Sequence, residues 1–255
     1  MKDCIYIIVL FFSLQISSQI TIKGTVFEKS DPLEGAAVYF NNTMLGTTTN
    51  FNGEFSIKVK EGQYDLIVSY LGYKKINYTL NTSNYTKPLV FNLKQENNTL
   101  DEIIIRKTVY NDEWKYNLST FKKEFIGRTE IAKDCEILNP KVLHFTYNSK
   151  KNILTAVAKK PLEIKHKSLG YKIIFELEKF VINNKTVTYL GYSRYQNLKG
   201  SNRKKRKWQQ KRLETYNGSF THFYQSLLKG TTYLDGFLMH QFERVLNPDR
   251  PSESV

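Results

Sequence analysis

The run Gly46-Thr-Thr-Thr-Asn-Phe-Asn52-Gly53-Glu-Phe55, with the segments on either side of it, constrains the fold more than any other part of the chain. Pro32-Leu33-Glu34-Gly35-Ala36-Ala37-Val38 stands before it, and Tyr64-Asp-Leu66-Ile-Val68-Ser-Tyr70-Leu-Gly72-Tyr73 follows. Short alternating runs separated by glycine turns describe half-buried strands, because successive side chains on a strand point to opposite faces. Several such strands at close spacing build a small antiparallel β-sandwich. A body of this kind holds and displays, and its fold calls for no reacting group.

Ile20-Thr-Ile22-Lys-Gly24-Thr-Val26 is the first strand, and Asp31-Pro32 turns the chain, since proline fixes φ and removes a donor. Ala36 to Asn41 is expected as the second strand and Gly46 to Thr49 as a short third. Asn52-Gly53 predicts a type I′ hairpin turn, which needs positive φ at both central positions. Phe55, Ile57 and Val59 alternate with Glu54, Ser56 and Lys58, and Glu61-Gly62 makes the next turn. Tyr64, Leu66, Val68 and Tyr70 share one face. After Gly72, Tyr73 to Leu80 resumes, and Leu89, Phe91 and Leu93 complete a seven-stranded antiparallel sandwich over residues 20–95. A calcium loop at Asn50-x-Asn52-Gly53 fails on chemistry. An EF-hand loop wants several carboxylates and a closing bidentate Glu, whereas Thr48, Asn50 and Asn52 hold the ligand positions here and Val59 the closing one.

Pro32-Leu33-x-Gly35-Ala36-x-Val38, Gly46-x-x-Thr49-Asn50-x-Asn52-Gly53-x-Phe55 and Tyr64-x-Leu66-x-Val68-Ser69-x-x-Gly72-Tyr73 together resemble the carboxypeptidase-regulatory-like domain. That domain is a transthyretin-like sandwich common in exported proteins of Bacteroidetes-type bacteria. The resemblance covers residues 20–95 and implies an accessory module without zinc or catalytic residues. Leu100-Asp-Glu102-Ile-Ile-Ile105 is similar to the segment that follows this domain in TonB-linked outer-membrane receptors. The remaining chain is too short and too poorly patterned to predict an outer-membrane barrel, so the receptor function does not carry over with the resemblance.

The amino terminus is expected to set the compartment. Lys2, the apolar run Ile5-Tyr-Ile-Ile-Val-Leu-Phe-Phe-Ser-Leu14 and the small residues Ser17-Ser18 have the layout of a secretory signal peptide over residues 1–19, cleaved near Ser18 or Gln19. The run is too short to span a bilayer, which needs about 20 apolar residues, and no transmembrane segment is expected after its removal. Cys4 leaves with this segment, so Cys135 stands alone and packing, not a disulfide, must stabilise the fold. Cys135 follows Ile131 and Ala132 at helical spacing, as a buried structural thiol would. Hydrophobic content of 40%, with 14% aromatics, suffices for real cores.

Charge divides the chain. Residues 19–105 carry 8 Lys and Arg against 9 Asp and Glu, whereas residues 106–255 carry 29 against 14. The basic character belongs to the second part, which points to an anionic neighbour there: an envelope protein, an anionic lipid or a glycan. A nuclear-localisation reading of the basic run conflicts with the signal peptide, and nucleic acid is not expected.

A linker over 96–110, a basic α+β domain over 111–247 and a tail over 248–255 complete the expected organisation. Asn111-Asp112-Glu113 opens a helix, and Trp114, Leu118, Phe121 and Phe125 form its apolar stripe up to Gly127. A short helix from Thr129 through Cys135 is expected next. Leu143–Tyr147, Leu154–Ala158, Pro161–Ile164, Tyr171–Leu177 and Val187–Gly191 then read as a mostly antiparallel meander, hence α+β. Glu176 and Glu178 alternate with Phe175 and Leu177 and are expected on the solvent side.

Arg203, Lys204, Lys205, Arg206, Lys207, Trp208, Lys211 and Arg212 lie on one expected helix. They form a candidate anion-binding face with Trp208 at an interface, or a solvated helix face anchored by Trp208. Asn217-Gly218-Ser219 caps a further helix containing Phe220, Phe223, Leu227 and Leu228, and Phe237 to Glu243 alternates like a final strand. Tyr216-Asn-Gly218-Ser219-x-x-His222-Phe223 and Gly236-Phe237 resemble segments that accompany the sandwich in longer family members. In those relatives the chain continues past the counterpart of Asn247–Pro251, which leaves room for a carboxyl-terminal part beyond Val255.

No catalytic, cofactor or metal residues are assigned. His240-Gln-Phe-Glu243 has the His-x-x-Glu spacing of metallocarboxypeptidases, but no His follows it, and a strand would turn the two side chains to opposite faces. His144, His166 and His222 are scattered without ligand spacing. The expected function is an exported, non-catalytic envelope accessory, placed in the periplasm, at the outer membrane or outside the cell. The alternatives are a hydrolase in which His222, His240 or Cys135 meets a carboxylate, and a polyanion or anionic-lipid binder acting through residues 203–212.

Overall fold

The computed structural model describes residues 19–96, 108–184, 186–243 and 245. The expected signal peptide and tail, and most of the expected linker, lie outside the described residues. The chain forms two compact units, residues 1–199 and 200–255. The expected boundary at 96–110 therefore falls between two sheet systems of the first unit, and Gly200 begins the second unit.

The sandwich consists of β1 (Gln19–Glu28), β2 (Asp31–Pro32), β3 (Ala37–Phe40), β4 (Gly46–Thr48), β5 (Glu54–Lys60), β6 (Gln63–Ser69), β7 (Ile76–Asn81) and β8 (Leu89–Asn92). One sheet joins β2, β1, β5 and β8; the other runs β4-β3-β6-β7. Ile22, Val26, Phe55, Ile57, Val59 and Phe91 from the first meet Val38, Phe40, Leu66, Val68 and Leu80 from the second in a single core. Burying each of these large side chains contributes about 1.5–3 kcal/mol. The strict alternation of β5, with Phe55, Ile57 and Val59 buried and their neighbours exposed, is the period-two pattern in its plainest form. Gly24 lies under the Phe55 ring, where an added Cβ would stand 2.6 Å from that ring and 2.4 Å from the Leu89 carbonyl oxygen.

Three sequence expectations change here. The sandwich has eight strands, because the two-residue β2 pairs with the end of β1. The last strand, β8, runs parallel to β1, since the chain crosses from β7 in the other sheet before it re-enters. The turn before β5 is not type I′. Gly53 has φ +72, whereas Asn52 is absent from the positive-φ residues. Asn50 organises this turn: its Oδ1 accepts the N–H groups of Asn52 (3.0 Å) and Glu54 (2.9 Å), and the Gly53 N–H closes onto the Asn50 carbonyl at 2.8 Å. An Asn side chain that mimics the backbone turn makes a second left-handed residue unnecessary.

The third sheet of the first unit contains β9 (Cys135–Ile137), β10 (Leu143–Asn148), β11 (Ile153–Ala158), β12 (Leu162–His166), β13 (Tyr171–Asn183) and β14 (Thr186–Asn197). β13 is the spine. β14 pairs along its length, β12 along Tyr171–Phe175, and β11 along Phe180–Asn183. A bulge between Leu177 and Lys179 inserts Glu178 as the extra residue. It changes the parity, so Ile173, Phe175 and Leu177 before it and Phe180 and Ile182 after it all reach one core.

The helix α1 (Asp112–Phe125) supplies that core with Phe121, which is fully buried among Phe125, Phe145 and Phe180 at ring separations of 4.9, 5.9 and 4.6 Å. Asn111 caps α1 by accepting the Trp114 N–H, and Asp112 and Glu113 sit in its first turn, at the positive end of the dipole. The short helix expected from Thr129 through Cys135 is a 3-10 turn over Ile131–Asp134, and Cys135 begins β9 instead.

In the second unit, α2 (Asn202–Tyr216) and α3 (Phe220–Lys229) are capped by the Ser201 and Ser219 side chains, and α3 ends at Gly230 with φ +68. The strand expected over Phe237–Glu243 does not form. Alternation makes a strand only beside a partner edge, and none pairs with these residues among those described. Phe237 instead sets its ring against His222 and Phe223, at 5.0 and 5.3 Å.

Candidate binding surfaces

Tyr39 and Ile67 are paired neighbours on β3 and β6 and point away from the sandwich core, yet both are fully buried. The β9–β14 sheet lies against this face. The Tyr39 hydroxyl donates to Glu176 Oε1 at 3.0 Å, and the Ser69 hydroxyl donates to Glu176 Oε2 at 2.7 Å. Lys75 Nζ stands 3.8 Å from Glu176 and 2.5 Å from Glu178. Glu176 is only 3% exposed, which corrects its expected place on the solvent side. Burial, then the Glu176 charge and hydrogen bond, push the Tyr39 hydroxyl well above the usual tyrosine range. Burial pulls the Lys75 ammonium down, but the Glu178 and Glu176 carboxylates outweigh it and the net shift is upward.

The loop after β3 completes the seam by covering part of the free edge of β14. The Asn42 N–H donates to the Ser193 carbonyl at 2.8 Å, and the Tyr195 N–H donates to the Thr43 carbonyl at 2.9 Å. The Asn41 side chain accepts the Ser193 N–H at 3.0 Å. Arg194 lays its guanidinium over the Tyr39 ring, 5.2 Å from the centroid. The seam binds one β-body to the other. A sequence signal for it exists: Ala37-Val-Tyr-Phe40 and Leu66-Ile-Val68 are continuous apolar runs, as strands buried on both faces require.

An open cleft of about 530 Å³ lies beside the edge strand β4. Lys23, Thr25, Thr47, Thr48, Asn50, Glu54 and Ser56 supply its polar lining, and Phe55 and Pro88 the apolar part. Hydroxyl, amide, ammonium and carboxylate groups around an unpaired strand edge suit the backbone of an extended peptide.

In the second unit the structure sorts the candidate anion-binding residues into two sets. Arg203, Lys204, Lys205, Arg206, Lys207 and Lys211 are exposed, whereas Trp208 and Arg212 are half-buried. The Trp208 ring rests on Gly200, where an added Cβ would come within 2.6 Å of it. Trp208 is thus the helix's anchor. Tyr216, at the end of the same half-buried stripe, sets its ring at a tilt against His222 at 4.8 Å and donates to Gln225 at 2.7 Å, which fixes α2 against α3.

Among the described residues, none of His222, His240 and Cys135 makes a hydrogen bond or ion pair to a carboxylate. His222 Nδ1 accepts the Gly218 N–H, and its ring serves the aromatic cluster. His240 and Glu243 are both exposed on a segment without regular structure. Cys135 pairs with His166 across β9 and β12, but burial and then Asp134 push its thiol above the ordinary cysteine range, away from the reactive thiolate. Among the described residues no group of three or more His, Cys, Asp or Glu is placed to hold a metal. Among them, too, no helix is long and apolar enough to cross a membrane.

Residues 22–105 match the family model of the CarboxypepD_reg-like domain. A TonB-dependent receptor of Formosa agariphila is 30% identical over 105 residues, covering 39% of this chain and 10% of the relative. The TonB-dependent receptor SusC of Bacteroides thetaiotaomicron is 31% identical over 98 residues, covering 38% of this chain and 9% of the relative. The chain therefore spans about a tenth of the length of the curated relatives it matches. The matched region contains the motifs that resemble this domain, and both relatives are named as receptors.

Proposed function

We propose that this protein is an exported accessory of the bacterial cell envelope, in which the β-sandwich serves as a docking scaffold and catalyses nothing. The observation that carries the reading is the match over residues 22–105 to a non-catalytic domain shared with TonB-dependent receptors. The fold supports it: the Glu176 seam and the Asn41–Thr43 contact tie the sandwich to the third sheet, giving a stiff body. The edge strand β4 and its cleft offer a place for a partner's strand, read mainly through main-chain hydrogen bonds.

The test is to express the chain with a carboxyl-terminal tag in a Bacteroidetes host, fractionate the cells and sequence the amino terminus of the purified protein. An envelope fraction and a mature start near Gln19 are expected. A cytosolic protein that keeps Met1 would refute the reading.

A further inference from the structure

α3 is an amphipathic helix turned inside out. His222, Phe223 and Ser226 face the interior of the second unit. Phe220, Tyr224, Leu227 and Leu228, spaced i, i+4, i+7 and i+8, form one stripe on the opposite side and are 82, 58, 47 and 88% exposed. Tyr233, Leu234, Leu238, Met239 and Phe242 in the following segment are 60–84% exposed as well. A soluble surface rarely presents so many large apolar side chains within one small unit, and such a surface marks an interaction site. The same unit carries α2, whose sequence holds seven Lys and Arg against one Glu. Of these, Lys211 pairs with Glu214, whereas Arg203 to Lys207 are exposed and make no ion pair among the described residues.

We propose that the second unit is a peripheral membrane-surface contact, in which the α3 stripe enters the headgroup boundary of a bilayer and the α2 cations hold its anionic lipids. Charge complementarity selects this occupant. A second copy would bring one +6 helix to another, whereas an anionic bilayer offers both the negative charge and the apolar layer that the unit lacks. Apolar insertion supplies part of the affinity and attraction to the negative surface potential the rest. The proposal goes beyond the envelope scaffold, and purified protein with vesicles tests it independently of where the chain resides in the cell.

The experiment is flotation of the full chain with phosphatidylglycerol/phosphatidylethanolamine vesicles and with phosphatidylcholine vesicles, over a range of salt. Binding to the anionic vesicles alone is expected, falling steeply with salt. Changing Arg203, Lys204, Lys205, Arg206 and Lys207 to Gln should weaken it about 100-fold or more. Changing Phe220 and Leu228 to Ser should weaken it about tenfold or more while leaving the salt slope in place. Both positions are over four-fifths exposed, so this variant removes no packing. No binding to anionic vesicles at low salt would overturn the proposal. So would charge-dependent binding indifferent to the Ser substitutions, which would mark a general polyanion site. A concentration-dependent dimer abolished by Leu228→Ser would overturn it too, by assigning the stripe to a second copy.

Discussion

The Tyr39 hydroxyl donates a 3.0 Å hydrogen bond to Glu176, 137 residues further along the chain and in a different sheet. Both side chains are out of water, so neither has a solvent alternative. Tyr39→Phe should lower stability by about 1.5–3 kcal/mol, because it removes a hydrogen bond to a charged acceptor. Glu176→Ala should cost more, since it strands the donors of both Tyr39 and Ser69. Urea unfolding of the two single variants and the double variant checks this. Coupling above about 0.5 kcal/mol is expected for residues in contact.

Gly24 is fixed by what lies above it. Gly24→Ala should destabilise by about 1–3 kcal/mol, since the new methyl group must displace packed atoms. Adding Phe55→Leu should not restore stability, because the Leu89 carbonyl oxygen also lies within 2.4 Å of the new Cβ position. Thermal melts of the two variants decide the matter.

The hairpin before β5 makes a contrasting pair. Gly53→Ala should cost about 1 kcal/mol or more, as a side chain is placed at positive φ; its Cβ would also stand 2.4 Å from the Val26 carbonyl oxygen. Asn52→Ala should be nearly neutral, because Asn52 does not have positive φ. Equal losses at the two positions would restore the type I′ turn. Asn50→Ala should be costly, because it frees the N–H groups of both Asn52 and Glu54.

Burial holds the His166 imidazole below its ordinary pKa, with Asp134 opposing weakly, and burial and then Lys159 act in the same downward direction on His144. The neutral ring is favoured in the folded protein, so the unfolded chain takes up the proton first as pH falls. The corresponding stability is complete above the unfolded value of about 6.5 and is lost as pH drops from there toward the folded pKa. Urea midpoints at pH 7.5 and 5.5 should therefore differ, with the lower value at pH 5.5. His166→Gln should narrow that difference; an unchanged difference would refute the assignment.

Local chemistry was legible in the sequence wherever one face of an element decides its place. The strict alternation of β5, the Asn111 and Ser219 caps and the Gly230 stop rest on neighbours a few residues apart, and so do the motifs that resemble the regulatory-like domain. The anchoring role of Trp208, one of the two alternatives the sequence left open, follows from its half-buried place over Gly200. Tertiary structure decided what long-range contact decides. Glu176 alternates with core residues as a solvent-side carboxylate would, and only the arrival of Tyr39 and Ser69 makes it buried. The Glu178 bulge reverses the facing of β13 without any signature in composition. Phe237–Glu243 has a strand's alternation but no strand, because a β-ladder needs a second edge and alternation specifies only one. A side chain's neighbours along the chain fix its local geometry, whereas its exposure depends on which distant surface comes to rest against it.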